Sequence, residues 1–228
     1  GLDMLPASAR PSALAHLVRD ITDQRDGHIT TGIFGTSYAL EALSREGRAD
    51  LVSRVVNQRG FPGWGYMLEQ GATTLWEHWA FSDNTFSHNH PMFGSVSQWF
   101  YNWLGGIEPA ADAVGFDRID LHPQFVDGLD WVRCTHRSVR GPVACEWKRD
   151  AGRINVTIDV PANATAHLVL PGFFQVTESG RPAREANGVG KVWSEDGLDH
   201  LELGSGRYHF DLDTKPAEGF RNDAELRH

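Results

Sequence analysis

The sequence predicts a chain in two halves, mainly α-helical over residues 1–108 and an all-β antiparallel sandwich over 109–213. Three observations predict it. Up to Leu104 the apolar residues recur at i, i+3, i+4 and i+7, the period of one helix face. After about Pro109 they alternate with polar residues, the period of a strand with one wet face. Short runs there are also broken by Gly, Pro, Asn and Asp at the intervals of an antiparallel sheet protein.

In the first half, Leu14, Leu17, Val18 and Ile21 share a face, and Pro11 suits a first helical turn. The spacing predicts one buried-face helix there. A second helix is read from Thr36 to about Glu46, with Tyr38, Leu40 and Leu43 apolar and Gly47 in a C-capping position. Leu51, Val52, Val55 and Val56 give a third a narrow stripe that ends before Gly60. Gly65 to Glu69 adds a short helical segment. The last helix carries Val96, Trp99, Phe100, Trp103 and Leu104 on one broad face, and Gly105-Gly106 stops it.

In the second half, Val143, Cys145 and Trp147 alternate with polar residues, as do Ile154, Val156, Ile158 and Val160 before Pro161. Further strands are read at 118–122, 129–137, 165–170, 201–203 and 207–212, enough for two layers. Residues 214–228 are rich in polar and breaker residues and are expected to be a disordered tail.

The charge balance, 21 basic against 30 acidic side chains, offers no basic run that could track a phosphate backbone, which excludes nucleic acid as an expected partner. No apolar stretch reaches membrane-spanning length, and residues 1–30 lack a signal-peptide layout. Cys134 and Cys145 match no zinc spacing. They flank Arg140-Gly141-Pro142, so a hairpin there would set them opposite one another, as two reduced thiols or as a pair.

The segment from Phe61 to Pro91 is dense in residues that do not read as packing. Glu77 stands between Trp76 and Trp79, beside His78, His88 and His90. A carboxylate can act as a base, indoles stack on the C–H faces of sugars, and imidazoles bind hydroxyls. The same Glu could instead cap a helix or pair with a neighbouring His, and residue type alone leaves both readings open. His88 and His90 with Asp83 could approach a metal, but HxH without HExxH or a cysteine set is a weak pattern, and no metal or other cofactor is expected. Neither a GxSxG elbow nor a phosphate-binding GxxxxGK[ST] loop is present.

The strings GHITTGIFGT at 27–36, WGYMLEQGATTLWEHW at 64–79 and SHNHPMFGSVSQWFYNWLGGI at 87–107 resemble the bacterial α-L-rhamnosidases, glycoside hydrolase family 78. GFDRIDLHPQ at 115–124, LDWVRCTHRSVRGPVACEW at 129–147 and VPANATAHLVLPG at 160–172 resemble that family's C-terminal domain. The resemblance implies the later helices of an (α/α)6 barrel followed by a β-sandwich, and inverting hydrolysis of terminal α-L-rhamnose. It implies Glu77 as general base, His90 as a sugar contact, and Trp64 and Trp79 as subsite walls. The substrate it implies is a rhamnosyl glycoside, in the bacterial cytoplasm or secreted.

The family's general acid belongs to an earlier Arg-Asp-Glu motif that has no counterpart here. Asp23-Gln24-Arg25-Asp26 is only superficially like it, so the acid role is not carried onto Asp26. Five or so helices do not close a twelve-helix barrel, so exposed apolar faces are expected, covered by a missing half or by a second copy. Rival readings are a non-catalytic sugar-binding module, an assembly module, and another (α/α)6 enzyme.

Overall fold

A computed structural model describes residues 5–83, 85–150, 152–172 and 174–214. The chain divides into two compact units: residues 1–104 with 124–128, and 105–123 with 129–228.

Among the described residues the first unit holds five α-helices, α1 Arg10–Arg19, α2 Ile33–Arg45, α3 Ala49–Val56, α4 Trp64–Glu69 and α5 Ser95–Trp99. α1 runs on into a π-helical turn at Asp20–Gln24, and α5 into another at Phe100–Leu104. Leu40, Leu43, Val52, Val55, Met67, Phe93 and Trp99 form the core. Two indoles of this unit are partnered: the Trp99 N–H donates to Ser44 Oγ at 2.7 Å, and that of Trp103 to Glu41 Oε2 at 3.1 Å.

The stripe of α1 departs from expectation. Leu14, Leu17 and Val18 are only half-buried, and Ile21, beyond the helix end, is the buried member. Amphipathic spacing fixes which face is apolar, while burial depends on what packs against it. The same holds for Tyr38 of α2, which is 64% exposed, and for Phe34 and Leu68, at 72% and 71%.

Among the described residues the second unit has eleven strands in two sheets. One orders β1 Ile107–Pro109, β2 Arg118–Leu121, β6 Thr165–Pro171, β10 Leu198–Leu203 and β9 Val189–Glu195. The other orders β3 Trp131–Ser138, β4 Gly141–Asp150, β5 Arg153–Val160, β11 Gly206–Thr214, β7 Phe174–Glu178 and β8 Arg181–Pro182. Alternate residues are buried: Val143, Cys145 and Trp147 on β4, Val156 and Ile158 on β5, Phe210 and Leu212 on β11. Leu168, Leu170, Leu201 and Leu203 do the same in the first sheet.

All pairings are antiparallel except one. β2 and β6 run parallel, with Arg118 opposite Thr165 and Asp120 opposite His167. A parallel neighbour needs a long connection, which here passes through β3, β4 and β5 of the other sheet. The sequence reading missed β1, β7, β8 and β9. The tail expected at 214–228 starts at Thr214, the last residue of β11, and from 215 onward lies outside the described residues. Among the described residues no helix is long and apolar enough to cross a membrane.

Candidate functional site

Between α4 and α5 the chain folds back on itself without forming a regular strand. The Glu77 N–H donates to Ser87 O at 2.8 Å, the His90 N–H to Leu75 O at 2.8 Å, and the Thr74 hydroxyl to His88 O. This pairing holds Glu77 beside Ser87. The Ser87 N–H donates to Glu77 Oε2 at 3.0 Å, while Ser87 Oγ accepts the Asn89 N–H at 3.1 Å and closes the turn. Glu77 is half-buried, and its Oε1 takes no hydrogen bond among the described residues. A carboxylate fixed through one oxygen keeps the other free for a water.

Glu77 opens on a cleft of about 350 Å³ lined by Thr30 to Gly35, His78, Trp79, Phe86 and Phe93. It is the one carboxylate among the described residues lining that cleft. Trp79 forms an inner wall. Its indole N–H donates to Thr31 O at 2.7 Å and its ring stacks on Phe93 at 3.7 Å, so the loop entering α2 is tied to the Glu77 segment. At the lip, His78 stacks on Phe86 at 4.9 Å, and its Nδ1 accepts the Ala80 N–H at 3.1 Å.

The other sequence-derived candidates fall elsewhere. Trp64 stands edge-on behind Trp79 at 5.0 Å, with its N–H committed to Phe93 O at 2.9 Å. It lines a separate apolar groove of about 540 Å³ with Met67, Leu68, Val96 and Phe100. His90 is not among the residues lining the Glu77 cleft. Its Nδ1 accepts the Met92 N–H at 3.4 Å, which leaves Nε2 as the ring donor. His88 lies between Trp76 and Phe81, at 5.4 and 4.7 Å, and its buried Nε2 has no partner among the described residues. Asp26 turns to Arg54 at 3.4 Å and does not line the cleft. Among the described residues no group of three or more His, Cys, Asp or Glu is placed to hold a metal ion.

Sequence reasoning named Glu77 and Trp79 but missed the opposite wall, Thr31, Phe34, Phe86 and Phe93. Thr31 and Phe34 sit in the GHITTGIFGT string, which carried a resemblance but no chemistry of its own.

Comparison with known proteins adds the following. Residues 1–104 match the model of the bacterial alpha-L-rhamnosidase 6 hairpin glycosidase domain, and residues 106–182 that of the bacterial alpha-L-rhamnosidase C-terminal domain. An alpha-L-rhamnosidase of Streptomyces avermitilis is 33% identical over 218 residues, covering 92% of this chain and 20% of the relative. One from an Alteromonas species is 28% identical, over 92% of this chain and 22% of the relative. The structure of an alpha-L-rhamnosidase from Dictyoglumus thermophilum superposes with a TM-score of 0.85 at 31% identity, covering 93% of this chain and 24% of that one. That of the Streptomyces avermitilis alpha-L-rhamnosidase complexed with L-rhamnose does so with a TM-score of 0.81 at 32% identity, over 92% and 20%. The chain thus spans about a fifth of the length of the curated relatives it matches.

Proposed function

Given that the chain belongs to the bacterial α-L-rhamnosidase family, as a C-terminal part of it, we propose that it supplies the general-base side of a site hydrolysing terminal α-L-rhamnosides with inversion. The observation that carries this reading is the Glu77 carboxylate. One oxygen is anchored to the Ser87 N–H, and the other is free at the mouth of a cleft with an aromatic wall.

Glu77 takes a proton from a water whose oxygen attacks the anomeric carbon. As that bond forms, the glycosidic C–O bond breaks on the opposite face, and a second carboxyl group protonates the leaving oxygen. An inverting pair stands roughly 6.5 to 9.5 Å apart to admit the water. That the acid comes from outside this chain is supported by Glu77 being alone among the described acids lining the cleft. Trp79, 5% exposed and stacked on Phe93, shapes the wall of the subsite, its N–H being occupied; Trp64 supports Trp79 from behind. His90, which lies off the cleft lining, keeps its Nε2–H for a sugar hydroxyl that extends beyond the cleft, and contributes positioning rather than proton transfer. The exposed Phe34, Tyr38 and Leu68 support a covering polypeptide surface, the rest of the enzyme or a second copy.

The test is release of p-nitrophenol from its α-L-rhamnoside by the full-length enzyme carrying Glu77→Gln. Loss of about 10² to 10⁴ in kcat is expected, the range for removal of a general acid or base. Unchanged turnover would remove Glu77 from the role.

A further inference from the structure

The sandwich unit carries a second cleft, of about 410 Å³, on one face of its five-stranded sheet. Its floor is contributed by neighbouring strands: Arg118 and Asp120 from β2, Thr165 and His167 from β6, and Glu202 from β10. The register sets Asp120 opposite His167, and His167 opposite Glu202, so these three form one row across the strands. Glycines line another side, at Gly188, Gly190 and Gly204.

The parts of this cleft are held in place. Arg118 donates to Asp112 Oδ2 at 2.9 Å and to Asp112 O at 2.7 Å. His167 Nε2 meets His200 Nδ1 at 3.0 Å, with ring centroids 5.2 Å apart and planes within 15°, so the two imidazoles lie edge to edge. The Trp193 indole lies nearly parallel over both, at 5.4 and 4.9 Å, and Lys191 Nζ stands 4.8 Å from its centroid. On the glycine side, the Tyr208 hydroxyl is shared between Gly188 O at 3.0 Å and Gly204 O at 2.9 Å. A ligand would therefore meet groups that need little ordering on binding.

The chemistry is mixed rather than of one sign. Asp120 and Glu202 accept hydrogen bonds, the Arg118 guanidinium donates, and the Thr165 hydroxyl does both. Two lining carboxylates, Asp120 and Glu202, stand against Arg118, whose charge is already met by Asp112 behind it. That balance repels an anion, holds no site for a metal ion among the described residues, and suits a neutral molecule dense in hydroxyls. The volume falls in the range that takes a small ligand. We propose that this cleft is a saccharide-binding site for a neutral pyranose, separate from the Glu77 cleft and standing whether or not Glu77 is a catalytic base.

The test is saturation-transfer NMR on the 228-residue chain with D-galactose, D-glucose and cellobiose as probes, none of them the sugar proposed for the Glu77 cleft. Transfer to at least one probe is expected, weakened at least about tenfold in affinity by Asp120→Asn with Glu202→Gln, since hydrogen bonds to charged groups are lost. Glu77→Gln leaves it unchanged. Gly190→Leu, whose Cβ would lie 3.4 Å from Glu202 Oε2 and whose side chain fills the cleft beside that carboxylate, abolishes it and serves if the double variant misfolds. Silence with all three probes overturns the proposal. So does transfer that survives Gly190→Leu or vanishes with Glu77→Gln.

Discussion

Trp79→Phe tests the tie between the two segments that form the Glu77 cleft. The indole N–H donates to Thr31 O at 2.7 Å, and the ring, 5% exposed, stacks on Phe93. Phenylalanine keeps the stack but loses the donor. A hydrogen bond of this kind contributes about 1 kcal/mol net, and the orphaned carbonyl is partly relieved by the Thr36 hydroxyl at 3.3 Å. Vacating the pyrrole edge in a close-packed site adds about 1 to 2 kcal/mol, so the total is about 2 to 3 kcal/mol. In urea, followed by helical ellipticity at 222 nm, the midpoint should fall by about 1 M at an unchanged slope of about 2 to 3 kcal/mol/M. Amide exchange at Gly32 to Thr36 should quicken at the same time, because Thr31 no longer anchors the entry to α2. A loss below about 0.5 kcal/mol, with protection at those amides unchanged, would refute the account of Trp79 as the tie.

Three further outcomes follow from the geometry. Gly106 and Gly47 both have left-handed backbone, at φ 66° and 73°, but a Cβ at Gly106 would lie 2.2 Å from Pro123 N, whereas none lies within 4 Å at Gly47. Gly47→Ala should cost about 1 to 2 kcal/mol by urea unfolding and Gly106→Ala more than about 4, and equal costs would refute the steric reading. Burial pushes the Cys134 thiol up to about 11 and Cys145 higher still. Neither should react with a thiol reagent at pH 8 until the chain is unfolded, and rapid native labelling would contradict this. His122 is held below its ordinary value, first by burial and then by repulsion from His200 and His167. The unfolded chain therefore binds the extra proton first. Stability is complete above about pH 6.5 and falls as the pH drops from there through the lowered folded value, by at most about 1.4 kcal/mol per unit. His122→Asn should flatten that part of the stability–pH profile, and an unflattened profile would count against it.

The elements legible in the sequence were those whose period is carried by buried residues. β5 reads Ile154, Val156, Ile158, Val160 and is buried at each of them, and Val52 and Val55 of α3 mark the inner face of their helix. β9 was missed because its residues are half-buried or exposed, and it includes Gly190 and follows Gly188, so no alternation is visible. The parallel pairing of β2 with β6 has no local signature, since it depends on a connection through the other sheet. The hairpin at the cysteines was legible, yet its chemistry depends on one further step. Ser138 and Gly141 close a two-residue turn, and Pro142, which lacks an N–H, takes the next, non-hydrogen-bonded position. Counting on, Cys134 and Cys145 fall at a hydrogen-bonded pair, where Cβ atoms stand farther apart than the roughly 3.5 to 4.5 Å a disulfide needs. Opposition alone therefore does not make a bond, and the thiols are best read as packing groups.

The site divides along the same line. Glu77 was legible because a carboxylate among indoles is costly unless it has work or a partner, and it proves to have a partner for one oxygen only. The grouping of Glu77, Trp64, Trp79 and His90 was not legible, because indole identity does not say whether a ring faces a cavity or backs another ring. Trp64 and Trp79 are equally buried and equally committed through their N–H groups, yet only Trp79 lines the cleft. The carbonyls they reach do not distinguish them, since Thr31 and Phe93 both line the cleft; Trp64 stands edge-on to Trp79 at 5.0 Å and is the one left off the lining. The residues that complete the wall, Thr31, Phe34, Phe86 and Phe93, are common types with no chemical signature, and distance alone brings them to Glu77.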